Sequence, residues 1–159
     1  GAVEGEAVRR DALGDANADR GDLVGAAHPD PAAAGYAIGA SDAEIATLRP
    51  LFDEFNEAHR PADHLSEYSK ANIRFHQSII ALSDSKVLQE MTEDILLHVR
   101  GIRQMTIGLD DRAMRSIEDH RAIIDALERR DVDLAEKLSR DHTLGLAAYV
   151  DEHGEEIFP

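Results

Sequence analysis

Three of the eight histidines in this chain lie among apolar residues at helical spacing. They are His76, in the stretch NIRFHQSII, and His120 and His142 in the last third of the chain. Residues three or four apart share one face of a helix. The apolar neighbours at that spacing are Ile79 and Ile80 for His76, Ile117, Ile123 and Ile124 for His120, and Leu138 and Leu146 for His142. We therefore predict that all three imidazoles point into the protein.

An inward imidazole is either a hydrogen-bonded core residue or a metal ligand. Burial without a partner costs about 1–3 kcal/mol for each ring, whereas one divalent cation held between helices satisfies several rings at once. The spacing leaves both interpretations open. We expect the other histidines near helix ends or in the tails to be solvated, and these are His28, His59, His64 and His153. His98 can face either a cavity or the solvent.

The elements that must position these histidines are helices. Ser41 followed by Glu44 forms a capping box before an apolar stripe, and Pro50 is expected to kink or break that helix. We predict a second helix from Asp63 as cap to about residue 83 and a third from there to about residue 107. A fourth follows over residues 111–129, and a fifth begins at Asp131 as cap. Short connections favour an all-α fold, an antiparallel bundle of about six helices.

Composition divides the chain and limits its partners. Residues 1–40 hold seven of the eleven glycines and twelve alanines, which predicts a tail or linker before a helical domain over residues 41–159. The formal net charge of −15 disfavours contact with DNA and anionic membranes. Without cysteine, only imidazole, carboxylate and amide oxygen remain as strong metal ligands. The missing cysteines and the lack of a long apolar run fit a cytoplasmic protein.

Two stretches resemble a known family. NIRFHQSIIALSDSKVL and EDHRAIIDALERRDVDLAEKLSRDH, whose last histidine follows the first by 22 residues, are similar to the FCD domain, the C-terminal effector-binding domain of FadR-type regulators in the GntR superfamily. The resemblance implies metal ligands at Asn72, His76, His120 and His142, with Asn72 standing where the family more often has Asp. Such a ligand set suits a divalent transition metal, Zn or Ni.

The same resemblance implies a sensor that binds a small organic acid at the metal and acts as a homodimer. Arg100 and Arg103 are candidates for a bidentate contact to the acid, and Tyr68 and His98 for further contacts. We find no recognition helix before Ser41, so we expect no DNA contact by this chain itself.

The alternative to the sensor is a stand-alone metalloenzyme that uses the same histidine site on a small carboxylate substrate. Its general acid or base would come from Tyr68, His98 or Glu118.

Overall fold

A computed structural model of the chain describes residues 34–35, 37, 39–92, 101, 105–108 and 111–157, and the regular structure in these ranges is helical throughout. The predicted all-α class is therefore confirmed. We name four helices: α1 (Asp42–Ala46), α2 (Leu65–Leu82), α3 (Arg112–Glu128) and α4 (Val132–Ile157). Residues 86–92 are also helical. No helix in the described ranges is long and apolar enough to cross a bilayer.

The first helix is short because its start is fixed and its continuation is blocked. At its start, Ser41 Oγ accepts from the N–H of Glu44, and the backbone N–H of Ser41 donates to Glu44 Oε2 at 2.8 Å. This is the predicted capping box. Pro50 lies in the 3-10 helix Arg49–Phe52 that follows, where it has no backbone N–H to continue an α-helix. The predicted break at Pro50 is therefore confirmed.

The second helix begins one residue later than the sequence suggests. Asp63 was the predicted cap, but it lies in the 3-10 helix Pro61–Asp63. His64 occupies the cap position and makes no capping hydrogen bond through its side chain. The prediction for Asp63 was wrong because Pro61 favours the start of a tight helical turn, and that turn incorporates the aspartate.

The junction between α3 and α4 is sharp. Arg130 has a positive φ of 59°, and the N–H of Asp131 donates to the carbonyl of Ala126 at 3.0 Å, which closes the end of α3. The side chain of Asp131 then accepts from the N–H of Leu134 at 3.1 Å. Asp131 is thus the cap of α4, as predicted.

The described residues up to His142 form one compact unit, whereas α4 from Thr143 onward belongs to another. In the first unit, α2 and α3 bury their apolar faces together with the 3-10 helix Arg49–Phe52. Phe52 and Phe75 meet edge to face with ring centroids 5.5 Å apart. Ala34 and Ala37 are also buried in this core. The predicted division of the chain into a tail and a helical domain at residue 40 stays a prediction.

The predicted third helix is only partly within the described ranges. Residues 86–92 are helical, but Val87 and Met91, which we assigned to its apolar stripe, are 65% and 53% exposed. Leu88 of the same stripe is partly buried against the core, so the apolar pattern of this segment translates into burial only in part.

Candidate metal centre

Three helices each contribute one histidine to a common point in the protein interior. His76 comes from α2, His120 from α3 and His142 from α4. His76 is 2% exposed and His120 is fully buried, while the His142 side chain is 7% exposed. One ring nitrogen from each histidine can be chosen so that all three atoms lie within 4.8 Å of one another. The structure thus brings together the three inward histidines that the spacing predicts.

In this group, which we call the buried triad, one short distance joins two helices. Nε2 of His120 lies 3.2 Å from Nε2 of His142. Two nitrogens that each lie about 2.1 Å from one ion are roughly 2.9–3.4 Å apart at octahedral or tetrahedral angles. The two rings are therefore already spaced as ligands of one cation would be. The ring centroid of His76 is 5.2 Å from that of His120 and 5.7 Å from that of His142.

Asp119 determines which nitrogen of His142 is available. Its Oδ2 atom lies 2.9 Å from Nδ1 of His142, and a carboxylate accepts the proton of that nitrogen. The lone pair of His142 then resides on Nε2, the atom that faces His120. Histidine ligands of metals usually have such a partner on the other ring nitrogen, because it fixes the tautomer and the ring orientation.

Sequence reasoning missed Asp119. It precedes His120 directly, so it lies on a different face of α3, and its side chain is 53% exposed. One sequence signal was available, namely that a carboxylate directly precedes an inward histidine. Such a carboxylate can contact a histidine on the neighbouring helix when it lies near the edge of the buried face.

Aromatic rings hold His120 in place. The Phe52 ring stacks on the imidazole with centroids 4.9 Å apart, and the Phe75 ring packs at 4.3 Å. Both phenylalanines are fully buried. A ring confined by two neighbours loses little rotamer freedom when it binds an ion, so the packing would preorganise His120 for such a role.

Of the other predicted site residues, two are buried on α2 and three lie outside the described ranges. Asn72 is 4% exposed on α2, one turn before His76, and its role as a ligand stays a prediction. Tyr68, one turn earlier, is 1% exposed, and its ring meets Phe55 edge to face at 5.9 Å. Three further residues lie outside the described ranges: His98, Arg100 and Arg103.

Comparison with protein families matches residues 30–145 to the FCD domain, a range that includes the whole buried triad. The chain belongs to the FCD domain family. The resemblance inferred from the two histidine motifs is thereby confirmed. No match is found among curated proteins or among solved structures. Membership in the FCD family points to an effector-binding domain of a regulator and to a small-molecule ligand.

Proposed function

We propose that this FCD domain binds a divalent transition metal, zinc or nickel, through His76, His120 and His142, with the amide oxygen of Asn72 as a further ligand. The observation that carries the proposal is the convergence of three buried imidazoles, one of them oriented by Asp119. Three imidazoles suit late first-row ions, which prefer nitrogen over hard oxygen ligands.

A bound metal ion would give this negatively charged protein a local positive charge that can bind a carboxylate. The chain has a formal net charge of −15, so a carboxylate approaching it is repelled unless a local positive charge compensates. Three imidazoles and one amide are neutral ligands and leave the charge of a dication uncompensated. We infer that the effector is a small organic acid that binds at the ion, and Arg100 and Arg103 are proposed as second contacts to it.

The placement of the site suits a sensor. Its three histidines come from three different helices, so a ligand bound there interacts with all of them and can favour one arrangement of the helices over another. We propose that the domain acts as a homodimer in the cytoplasm, as the effector part of a GntR-type regulator. Contact with DNA would be made by another part of such a regulator and not by this acidic domain.

Thermal denaturation with a panel of small carboxylates tests the proposal. Acetate, lactate, succinate and glutarate are each added to metal-loaded protein and to protein stripped with a chelator. We expect at least one acid to raise the midpoint of the loaded protein and to have no effect on the stripped protein, because a ligand stabilises only the state that it binds. Equal shifts of the midpoint with and without metal would contradict the proposed function, and so would the lack of a shift with every acid.

The enzyme alternative finds less support in the geometry. Tyr68 is buried, and its ring packs against that of Phe55. Glu118 is exposed and lines a surface groove together with Glu57 and Arg115, and the lining of that groove does not include the buried triad. A general acid or base must reach the reacting atoms, so the exposed position of Glu118 gives the enzyme alternative less support.

A further inference from the structure

A second group of potential metal ligands lies at the start of α2, apart in sequence from the buried triad. His59 lies in the loop before the 3-10 helix Pro61–Asp63, His64 occupies the cap position of α2, and Glu67 belongs to its first turn. One ligand atom from each can be chosen so that all three atoms lie within 4.8 Å of one another. We call these three residues the surface triad.

Glu67 already joins the two histidines. Nε2 of His59 lies 2.8 Å from one carboxylate oxygen, and Nδ1 of His64 lies 3.6 Å from the other. The two imidazoles are stacked with centroids 3.6 Å apart and planes inclined by 20°. Two basic nitrogens therefore converge on one carboxylate, which is the donor set of a mixed imidazole and carboxylate metal site.

The backbone around the surface triad is held by local hydrogen bonds. The side-chain oxygen of Asn56 accepts from the N–H groups of Ala58 and His59 at 2.8 and 3.0 Å, and the N–H of Asn56 donates to the carbonyl of His59. The N–H of His64 donates to the carbonyl of Pro61. The two histidines are thus attached to a closed loop and a helix start, so binding an ion orders side chains more than backbone.

We propose that His59, His64 and Glu67 form a second site for a divalent transition metal, independent of the buried triad. Binding would replace the contacts of Glu67 with the two histidines by three bonds to one ion. The side chains are 32%, 36% and 54% exposed, so an ion can reach all three from the solvent. Their exposure also leaves room for water on the ion.

The charges around the surface triad favour a cation. The nearest basic residue in sequence, Arg60, forms an ion pair with Asp111 at 3.2 Å, which offsets its repulsion of a metal ion. Glu67 supplies one negative charge directly, whereas the buried triad consists of neutral imidazoles. The acidic chain as a whole raises the local concentration of cations.

Zinc stoichiometry measured by elemental analysis after equilibrium dialysis at fixed free Zn²⁺ tests the second site. The wild-type protein is compared with the double variant His59→Ala/His64→Ala and with His153→Ala, a histidine outside both triads, as the matched control. We expect the double variant to lose about one equivalent of zinc and the control to lose none. We expect Glu67→Gln to lower the zinc affinity of this site about tenfold or more, since even indirect partners of a metal have effects of that size.

The two sites can be told apart by adding His76→Ala to the comparison. His76→Ala removes a ligand of the buried triad only. If His59→Ala/His64→Ala still lowers the zinc content when it is added to His76→Ala, the zinc that is lost was bound by the surface triad. Equal zinc content in the wild type and the double variant would overturn the proposal, whatever the buried triad binds.

A measurement on the unaltered protein guards against misfolding of the variants. Ni²⁺ is added to protein whose buried triad has first been loaded with one equivalent of Zn²⁺, and this paramagnetic ion broadens the NMR signals of ring protons close to it. We expect the signals of His59 and His64 to broaden before that of His153. Broadening of His59 and His64 that does not exceed that of His153 would refute the second site.

Discussion

At the scale of single residues, the chemistry of the buried triad depends on protons. Neutral imidazole carries its proton on one of two nitrogens, and only the other can bind a metal. The contact of Asp119 with Nδ1 of His142 directs the lone pair to Nε2. Nε2 of His120 is 3.2 Å away, so a proton on either of these two nitrogens must move to the other nitrogen of its ring before both can bind one ion.

The variant Asp119→Asn tests the orienting role of this carboxylate. We expect zinc affinity of the buried triad to fall about 10–100-fold, because an amide is a weaker acceptor and can turn its NH₂ group toward the ring. The fold should be kept, since the Asp119 side chain is 53% exposed. Affinity is measured by competition with a chelator of known strength, in a background that carries His59→Ala and His64→Ala.

Asp141→Asn is the matched control for that experiment. It removes the same charge one residue before His142, but Asp141 pairs with Lys137 at 2.6 Å and not with a histidine. Equal affinities for the two variants would show that Asp119 acts only through its charge.

At the scale of elements, Arg49 fastens the 3-10 helix Arg49–Phe52 to the end of α3. Its guanidinium donates to both carboxylate oxygens of Glu128, at 2.9 and 2.7 Å, and to Asp125 at 2.5 Å. These contacts hold Phe52, which stacks on His120, in position. The hydrogen bond from Arg49 is the main reason that the pKa of Glu128 lies below its ordinary value of 4.5.

This pKa shift gives a prediction for stability against pH. A carboxyl group whose pKa is lower in the folded state stabilises the fold above its ordinary pKa, and this stabilisation is lost as pH falls through the folded-state pKa. We expect Arg49→Gln to reduce the free energy of unfolding at neutral pH by about 1 kcal/mol or less, because the pair is partly exposed. The difference from the wild type should shrink as pH falls from neutral to below 4.5 and Glu128 takes up its proton.

Urea unfolding across that pH range measures the effect. Lys137→Gln serves as the control, because its pair with Asp141 lies within one helix and does not join two elements. A difference between Arg49→Gln and the wild type that stays constant over the range would contradict a role for the ionised carboxylate.

The sequence could predict features that depend on spacing within one helix, but not contacts that depend on how two elements pack. The inward direction of His76, His120 and His142 could be predicted, because spacing along one helix determines the face of a residue. The contact of Asp119 with His142 could not, since it depends on how α3 and α4 pack. The stacking of His59 on His64 could not be predicted either. It depends on the turn that begins at Pro61, and no periodic sequence pattern indicates such a turn.

At the scale of the whole molecule, the proposed function requires an acidic FCD domain to bind an anion. The sequence offers no basic patch to attract one, and its formal net charge of −15 opposes binding. In the proposed function, a dication held by neutral imidazoles inside the helical unit would supply the missing positive charge at one point. The proposed sensing of an organic acid therefore depends on whether the buried triad binds a metal.

Elemental analysis of the purified protein beside His76→Ala, with His153→Ala as control, tests that claim most directly. The wild type and His153→Ala should contain the same amount of late transition metal, and His76→Ala should contain about one equivalent less after loading and dialysis. This difference is independent of any ion at the surface triad, which all three proteins share. Equal metal content in His76→Ala and the wild type would contradict the account and leave His76 as a core histidine.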